Sequence, residues 1–306
     1  MKKNSAPYII GSISEFHRMM GLAKPEHPLV SVIRFEDILR VPDDMPDNIV
    51  FNFYSVWLKK NYTGKMKYGQ QYYDFDEGSM SFFSPGQVFY STDHEQLTHT
   101  GWWLIIHPDF LWNYPLARVI RDYGYFSYAV NEALHLSEKE ELMVGGIMMG
   151  IEHEYKSVID KFSQNVIVSQ IELLLNYADR FYNRQFITRK VANHDMLDRL
   201  ERLLSAYLSG GQARLSGLPS VQFLSEQLYV SPNYLSDLLK NITGKTTQQH
   251  IHDKIIEKAK EKLSSTALSV TEIAYELGFE HSQSFSKLFK GKTNLSPLEF
   301  RSTFNS

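Results

Sequence analysis

Two short segments near the C-terminus carry polar side chains whose types and spacing could contact nucleic-acid bases. A glutamine can pair with adenine in the major groove and a lysine can donate to guanine. A lysine one helical turn farther along suits a backbone phosphate instead. The candidates in the first segment are Asn233, Ser236, Asp237 and Lys240, and those in the second are Ser282, Gln283, Ser284, Lys287 and Lys290.

Local signals predict that each segment is the second helix of a helix-turn-helix unit. The first unit is VQFLSEQLYVSPNYLSDLLKNITGK, Val221 to Lys245. Ser231 is a suitable N-cap, and Pro232 fits the first helical position, where its missing N–H costs nothing. Because the leucines of this helix face inward, its polar residues near the N-terminus face outward, toward base edges.

The second unit, Leu268 to Arg301, repeats the plan. Ser269 caps its first helix, Gly278 can take the left-handed conformation that ends that helix, and Ser282 opens the next one. Between the units, Thr247 to Leu263 has one apolar stripe and predicts a rigid spacer helix. Such a spacer could hold two recognition helices about one DNA turn, ~34 Å, apart.

The stretch from Val221 to Arg301 resembles the DNA-binding domain of the AraC/XylS family of transcription regulators. The resemblance rests on SPNYLSDLLKNITGK, IIEKAKEKL, IAYELGFEHSQSFSKLFK and LSPLEFR. It implies a regulator that binds double-stranded DNA, contacts RNA polymerase and activates more often than it represses. We also predict no enzymatic activity and no cofactor. Departures from the family pattern at Lys254, Leu239 and Thr293-Asn294 are mild. Asp237 would accept from a cytosine amino group or repel phosphate.

The N-terminal half has a strand-like pattern from about Pro28 to His107. Short runs rich in Val, Ile, Phe, Tyr and Trp alternate with turn signals, which favours an antiparallel barrel or sandwich. GSMSFFSPGQVFYS and GWWLIIHPDFL resemble strands of the cupin-like barrel that the family commonly carries. We therefore predict an α+β multidomain chain with a cupin-like antiparallel β-barrel, a helical dimerisation segment and an all-α double helix-turn-helix domain.

The predicted boundaries are 1–136 for the barrel, 137–194 for the helical segment and 195–306 for the DNA-binding domain. Ser137 and Glu140 form a candidate capping box, and a longer helix is predicted from about Asp160 to Arg184. Residues 185–194 are predicted as a linker and residues 209–220 as a loop. The long helix has an apolar stripe that either packs on its own barrel or forms a homodimer contact: Ile167, Ile171, Leu174, Ala178 and Phe181.

A small-molecule effector could bind inside the barrel, since such interiors can hold one small ligand. The candidate lining residues, for which ordinary core packing is the alternative, are Phe53, Trp57, Tyr72, Phe82 and Trp102. Two other interpretations remain open. One is a metal-dependent cupin-type enzyme with an accessory helical domain, and the other is a regulator whose ligand-free barrel serves only for dimerisation.

Histidine spacing gives the enzyme interpretation little support. A cupin metal site usually has an HxH motif in its strands, but His94, His99 and His107 are spaced differently, and His250 and His252 belong to the predicted spacer helix. We therefore predict no metal site. The absence of cysteine excludes thiolate ligands, thiol nucleophiles and disulfides.

Composition is that of a globular protein of about two domains, with 306 residues, 43% hydrophobic residues and 22% charged residues. The net charge is −3, but residues 195–306 carry 13 basic against 12 acidic side chains. A local basic patch is enough for DNA binding, because only the docking face meets phosphate. No apolar run of about eighteen residues or signal-peptide pattern occurs. The sequence thus predicts no membrane association and a cytoplasmic location.

Overall fold

A computed structural model of the chain describes residues 7–38, 48–60, 66–68, 71–73, 78–90 and 100–304. The chain divides into two compact units, residues 1–185 and 186–306. None of the helices in these ranges combines the length and the hydropathy needed to cross a lipid bilayer.

The N-terminal unit is built on strands, most of which lie within the region predicted from about Pro28 to His107, while the first and the last lie outside it. The strands are β1 Tyr8–Ile10, β2 Val30–Arg34, β3 Asn48–Phe51, β4 Tyr54–Lys60, β5 Met66–Tyr68, β6 Gln71–Tyr73, β7 Ser79–Phe83, β8 Val88–Tyr90, β9 Thr100–Ile106 and β10 Leu134–His135. Alternating side chains of each strand point to opposite faces of its sheet, so neighbouring residues have different surroundings.

These strands form three sheets. One has the order β10-β7-β4-β9-β2, another the order β1-β3-β8, and β5 pairs with β6. The pairing is antiparallel except between β1 and β3, which run parallel, so the prediction of a wholly antiparallel arrangement is wrong at that edge. Within the described ranges no sheet closes on itself. The predicted α+β layout is confirmed, whereas a closed cupin-like barrel is not.

The described part of this unit also contains helices, of which one begins at the predicted capping box. They are α1 Ile13–Met19, α2 Leu116–Val119, α3 Glu138–Lys156 and α4 Ser163–Thr188. The predicted capping box at the start of α3 is confirmed, since the Ser137 amide donates to the Glu140 carboxylate at 2.9 Å. Helix α4 begins three residues later than predicted and ends four residues later.

Aromatic side chains fill the core between the sheets. Trp103 of β9 lies opposite Trp57 of β4, and their ring centroids are 5.0 Å apart. Phe16 of α1 packs on the same cluster, 4.8 Å from Trp103, and is fully buried. Helix α1 therefore supplies part of the core that a barrel ligand would otherwise occupy.

The C-terminal unit is helical throughout. Its helices are α5 Lys190–Ser209, α6 Gln212–Ser216, α7 Val221–Leu228, α8 Pro232–Thr243, α9 Thr247–Ser265, α10 Val270–Glu276, α11 Ser282–Thr293 and α12 Pro297–Ser302. The boundaries of α7 to α11 follow the sequence prediction closely. The starts of α7, α8, α9 and α10 each carry a side-chain N-cap, which encodes the boundary locally.

Two segments predicted to be irregular contain helix: residues 185–194 are almost entirely helical, and about half of residues 209–220 are. Residues 185–194 contain the end of α4 and the start of α5, and the predicted domain start at residue 195 falls inside α5. Buried polar side chains stabilise this segment: the Asn193 amide, for example, donates to the carbonyl of Phe186. Hydropathy does not reveal such contacts. Residues 209–220 contain the short helix α6 between Gly211 and Gly217, both of which have positive φ angles.

Candidate nucleic-acid interface

Helices α7 and α8 form the first helix-turn-helix unit. Helix α7 ends at Tyr229, whose left-handed φ of 60° turns the chain. The hydroxyl of Ser231 accepts from the Tyr234 amide at 3.2 Å, and Pro232 is the first residue of α8. The predicted cap is thus confirmed. Leu235 and Leu239 are fully buried, so the opposite face of α8 is turned to solvent.

Helices α10 and α11 form the second unit. The hydroxyl of Ser269 accepts from the Glu272 amide at 3.2 Å, and the Glu272 carboxylate accepts from the Ser269 amide at 2.7 Å. Gly278 follows α10 with a φ of 90°, which confirms its predicted left-handed conformation. Phe285 and Phe289 are fully buried and fix the orientation of α11.

Helix α9 is the predicted spacer between the two units. It has 19 residues, which corresponds to a length of about 28 Å at the usual helical rise. Its predicted apolar stripe is buried: Ile251, Ile255, Ala259 and Leu263. Burial along the whole stripe explains why this spacer can be rigid.

Asp253 in the middle of α9 connects both units to the spacer. Its carboxylate accepts from Lys245, after α8, and from Lys292, near the end of α11, each at 2.8 Å. Partial burial alone would raise the pKa of Asp253, but the hydrogen bonds from these two lysines outweigh it and lower that pKa. The lysine contacts therefore favour the charged carboxylate and help to fix the placement of both recognition helices.

Arg301 of α12 provides a further connection. Its guanidinium donates to the carbonyls of Leu263, at 3.3 Å, and Leu268, at 2.6 Å. It thereby joins α12 to the end of α9 and the loop before α10. Sequence analysis missed the structural roles of Asp253 and Arg301, because their partners are distant in sequence or are backbone carbonyls.

The candidate DNA contacts on α8 differ in accessibility. Asn233 and Lys240 are exposed, whereas Ser236 and Asp237 are half-buried. The hydroxyl of Ser236 lies 3.1 Å from that of Thr247, the first residue of α9. Ser236 therefore has a role within the domain, and its contact with a base stays a prediction.

The candidates on α11 are more accessible. Gln283, Ser284, Lys287 and Lys290 are exposed, and Ser282 at the start of the helix is half-buried. No side chain caps this helix start, in contrast to α8. Helix α11 thus presents amide, hydroxyl and ammonium groups on one continuous outer face, while its phenylalanines face the core.

The four candidate effector-binding residues whose side chains the structure describes do not line one common cavity. Phe53 and Trp57 pack in the aromatic core. Phe82 packs instead on Tyr125, with ring centroids 4.6 Å apart, and the void beside it measures only about 10 Å³. The side chain of Tyr72 lies outside the described part of the chain.

Trp102 occupies a third environment, because strand alternation turns it away from Trp103. Its indole N–H donates to Glu152 at 2.8 Å. Burial alone would raise the pKa of Glu152, but hydrogen bonds from Arg34, Lys156 and Trp102 outweigh it and lower that pKa to about 2. Trp102 thus belongs to a charged cluster beside α3, in which the Glu152 carboxylate accepts hydrogen bonds from Arg34, Lys156 and Trp102.

The candidate dimer stripe on α4 faces the interior. All five residues are at most 5% exposed: Ile167, Ile171, Leu174, Ala178 and Phe181. The stripe therefore packs within its own chain, which is the alternative that the sequence left open. Dimerisation through this face stays a prediction, and the burial of the stripe within a single chain does not support it.

Metal-ligating side chains are not clustered within the described residues, where no group of three or more His, Cys, Asp or Glu could hold an ion. His94 and His99 lie outside the described residues. His250 and His252 are both on α9, and the ring of His250 lies 2.9 Å from the hydroxyl of Thr243.

Comparison with known proteins agrees with this geometry. Residues 224–303 match the family described as a helix-turn-helix domain. A Pseudoalteromonas carrageenovora protein, an uncharacterized HTH-type transcriptional regulator in the cgkA 5′ region, is 44% identical over 77 residues, or 25% of this chain and 45% of that protein. The HTH-type transcriptional activator RhaS of Escherichia coli O139:H28 is 30% identical over 121 residues, or 40% of this chain and 44% of RhaS.

Among solved structures, the C-terminal domain of the two-component response regulator yesN from Fusobacterium nucleatum is 31% identical. The alignment covers 33% of this chain and 95% of that domain, with a TM-score of 0.29. The chain spans less than half the length of the curated relatives named above. The C-terminal domain is therefore a helix-turn-helix domain of the AraC/XylS type. The resemblance predicted from the sequence is thus confirmed, and this domain is a sequence-specific DNA-binding domain.

Proposed function

We propose that the whole chain is a transcription regulator that binds two successive major-groove segments of double-stranded DNA. The observation that carries the proposal is that α8 and α11 pack on one spacer helix, α9, whose apolar stripe is buried, and that both carry polar side chains on their outer faces. Each recognition helix would enter the groove through its N-terminal half. Such a regulator acts where the chromosome is, which in a bacterial cell is the cytoplasm.

The residues proposed to contact DNA are Asn233, Ser236, Asp237, Lys240, Ser282, Gln283, Ser284, Lys287 and Lys290. Gln283 suits an adenine edge and Lys287 a guanine edge. Lys240 and Lys290 lie farther along their helices and suit phosphates. The exposure of Gln283 and Lys287 and the absence of acidic residues from α11 support the larger contribution from this helix.

The N-terminal unit is proposed as a cupin-like module that makes the regulator responsive to an effector. The two main sheets with aromatic residues between them support this part of the proposal. An effector shifts the equilibrium only if it binds one state of the regulator more tightly than the other. We further propose that the regulator is an activator that contacts RNA polymerase and binds paired sites as a homodimer, since pairing raises affinity through effective concentration.

A second candidate is a regulator whose N-terminal unit binds nothing in its interior. The observation that favours it is the filled aromatic core, in which Phe16, Trp57 and Trp103 are each at most 6% exposed. On this alternative, an effector would bind elsewhere on the unit or not at all.

Selection of genomic DNA fragments by the purified full chain tests the proposed function. We expect enriched fragments with a shared motif, and a steep loss of affinity between about 50 and 200 mM salt, because phosphate contacts release counterions. The Gln283→Ala/Lys287→Ala variant should lose the segment of the motif that α11 contacts. A matched control, Lys139→Ala with Gln212→Ala, changes exposed residues outside both recognition helices and should retain it. No enrichment by the wild-type chain would contradict the proposal.

A further inference from the structure

A surface cleft in the N-terminal unit has the features of a small-ligand site. It has a volume of about 500 Å³, within the usual range for small-molecule pockets. It lies between the start of β4, the 3₁₀ turn Pro108–Leu111 and the segment that includes α2. None of the five residues predicted to bind an effector lines this cleft.

The floor of the cleft is apolar. Leu111 and Ile120 are each 1% exposed and Tyr54 is 7% exposed, so all three side chains are held in place by the protein beneath them. Trp112 lines the same cleft and is 77% exposed. An exposed tryptophan beside an apolar floor offers a flat surface for the hydrophobic part of a ligand.

The rim of the cleft is cationic. Arg118, in the last turn of α2, and Arg121, three residues later, both line it and are exposed. In the described part of the chain, neither guanidinium has an ion-pair or hydrogen-bond partner. Asp109 also lines the cleft, and a carboxylate oxygen of Asp109 lies 3.6 Å from Nδ1 of His107. The two arginines therefore keep their full capacity to bind an anion.

We propose that this cleft binds a small organic anion with an apolar body, and that the effector of the regulator belongs to this chemical class. The anionic group would pair with Arg118 and Arg121, and the apolar body would lie on Leu111, Ile120 and Trp112. Inorganic phosphate would leave the apolar floor unused, and a neutral hydrophobic molecule would leave the arginines unpaired. The assignment of an effector rests on the proposed function, whereas the binding itself does not.

Two fluorescent probes that share most of their structure test the proposal in the full chain. The anionic probe is 8-anilinonaphthalene-1-sulfonate, and its neutral analogue, N-phenyl-1-naphthylamine, has the same rings without the sulfonate. We expect the anionic probe to bind at least about tenfold more tightly than the neutral one, because charge-assisted hydrogen bonds to arginine are strong. Inorganic phosphate, added as a competitor, should displace it only weakly.

Variants at the rim locate the site. Arg118→Ala/Arg121→Ala should weaken binding of the anionic probe at least about tenfold and leave the neutral probe within about twofold. Trp112→Ala should weaken both probes. The matched control Arg180→Ala/Arg202→Ala removes two exposed arginines elsewhere and should behave as the wild-type chain. Thermal unfolding of each variant shows whether its fold is retained.

Equal affinity of the anionic probe for the wild-type chain and for Arg118→Ala/Arg121→Ala would overturn the proposal, and so would equal binding of the two probes by the wild-type chain. The titration contains no DNA, so its outcome does not depend on the DNA-binding function. Conversely, Arg118→Ala/Arg121→Ala should bind genomic fragments as the wild-type chain does when no effector is added. Loss of DNA binding in every preparation would instead count against the proposed function.

Discussion

The two helix-turn-helix units share a backbone plan but differ in the surface that each offers to DNA. Both supporting helices are followed by a residue with a left-handed φ, Tyr229 in the first unit and Gly278 in the second. Both recognition helices have 12 residues and end at another left-handed residue, Gly244 or Asn294. The same local geometry is therefore built from different residue types.

The polar faces diverge much more than the backbones. On α8, Lys240 is accompanied by Asp237, and the hydroxyl of Ser236 contacts Thr247 within the domain. Helix α11 has no acidic residue and exposes Gln283, Ser284, Lys287 and Lys290. The two units therefore share a helix-turn-helix backbone, but their DNA-facing surfaces differ. We infer that α11 supplies most of the affinity and α8 mainly adds length to the site.

The largest expected effect comes from removing the base contacts of α11. Gln283→Ala/Lys287→Ala should weaken DNA binding about 100-fold, since each base contact contributes about 1–3 kcal/mol. The corresponding change on α8, Asn233→Ala/Lys240→Ala, should weaken binding only about tenfold, because part of its polar face is half-buried. Fluorescence anisotropy with a selected duplex measures both. An equal loss in the two variants would remove the asymmetry between the units.

A smaller but still large effect should appear in stability when the left-handed turn residues are changed. In Gly278→Ala, the new Cβ would lie 2.6 Å from the carbonyl carbon of Gly217 at a φ of 90°. We expect a loss of at least about 2 kcal/mol in the free energy of unfolding. Tyr229→Gly should change it by less than about 1 kcal/mol, because relief of the left-handed strain offsets the entropy cost of glycine.

Urea unfolding of the full chain measures this difference. Tryptophans 57, 102, 103 and 112 account for all four in the chain and lie in the N-terminal unit, so their fluorescence is an internal control that neither substitution should alter. Far-UV circular dichroism includes the helices of the C-terminal unit and should shift only for Gly278→Ala. Similar shifts for both variants would show that the two turns are equally constrained.

The sequence predicted the C-terminal unit more fully than the N-terminal one, for physical reasons. Helix starts such as Ser231-Pro232 and Ser269 are encoded locally, as is the glycine that ends α10. By contrast, the contacts of Asp253 with Lys245 and Lys292 depend on residues brought together only by folding. Of the five aromatic candidates for effector binding, the four whose side chains the structure describes were individually plausible, yet strand alternation and α1 place these four in separate environments or within the core. The cleft beside Arg118 and Arg121 has no sequence motif.

Two single substitutions, one that removes the acidic residue of α8 and one that adds an acidic residue to α11, test further how the two helices differ in DNA binding. Asp237→Asn should strengthen DNA binding about threefold, because an acidic group near phosphates is repulsive, and the gain should shrink as salt screens it. Ser284→Asp, which places an acid on α11, should weaken binding at least about tenfold. A salt series from low to high ionic strength measures both. An affinity for Asp237→Asn below that of the wild-type chain would show that the carboxylate itself contacts a base.

The smallest expected effect concerns the connection that both units share. The pKa of Asp253 is lowered in the folded chain, so its stabilising contribution is present above the ordinary aspartate pKa of 3.8 and is lost as pH falls through the folded value. Asp253→Asn should lower the free energy of unfolding by less than about 1 kcal/mol at neutral pH, since the carboxylate is partly exposed.

Urea unfolding at pH 7 and near pH 3 tests whether the stabilisation by Asp253 is lost as the pH falls. The difference between the wild-type chain and Asp253→Asn should narrow toward the lower pH, where the wild-type carboxyl group takes up a proton. Lys258→Ala is the control. It removes a lysine that pairs with Glu261 on the same helix and should leave both recognition helices unaffected. A difference that widens in acid would contradict the proposed role of Asp253.

Selection from a random pool of DNA duplexes tests the central claim, binding of two successive groove segments by two unequal helices, most directly. The wild-type chain should enrich two conserved segments whose centres are about one helical turn, ~10 base pairs, apart. With Gln283→Ala/Lys287→Ala, the more strongly conserved segment should no longer be enriched. With Asn233→Ala/Lys240→Ala, only the less conserved segment should lose part of its conservation. A single conserved segment that neither variant alters, or no enrichment by the wild-type chain, would contradict the account.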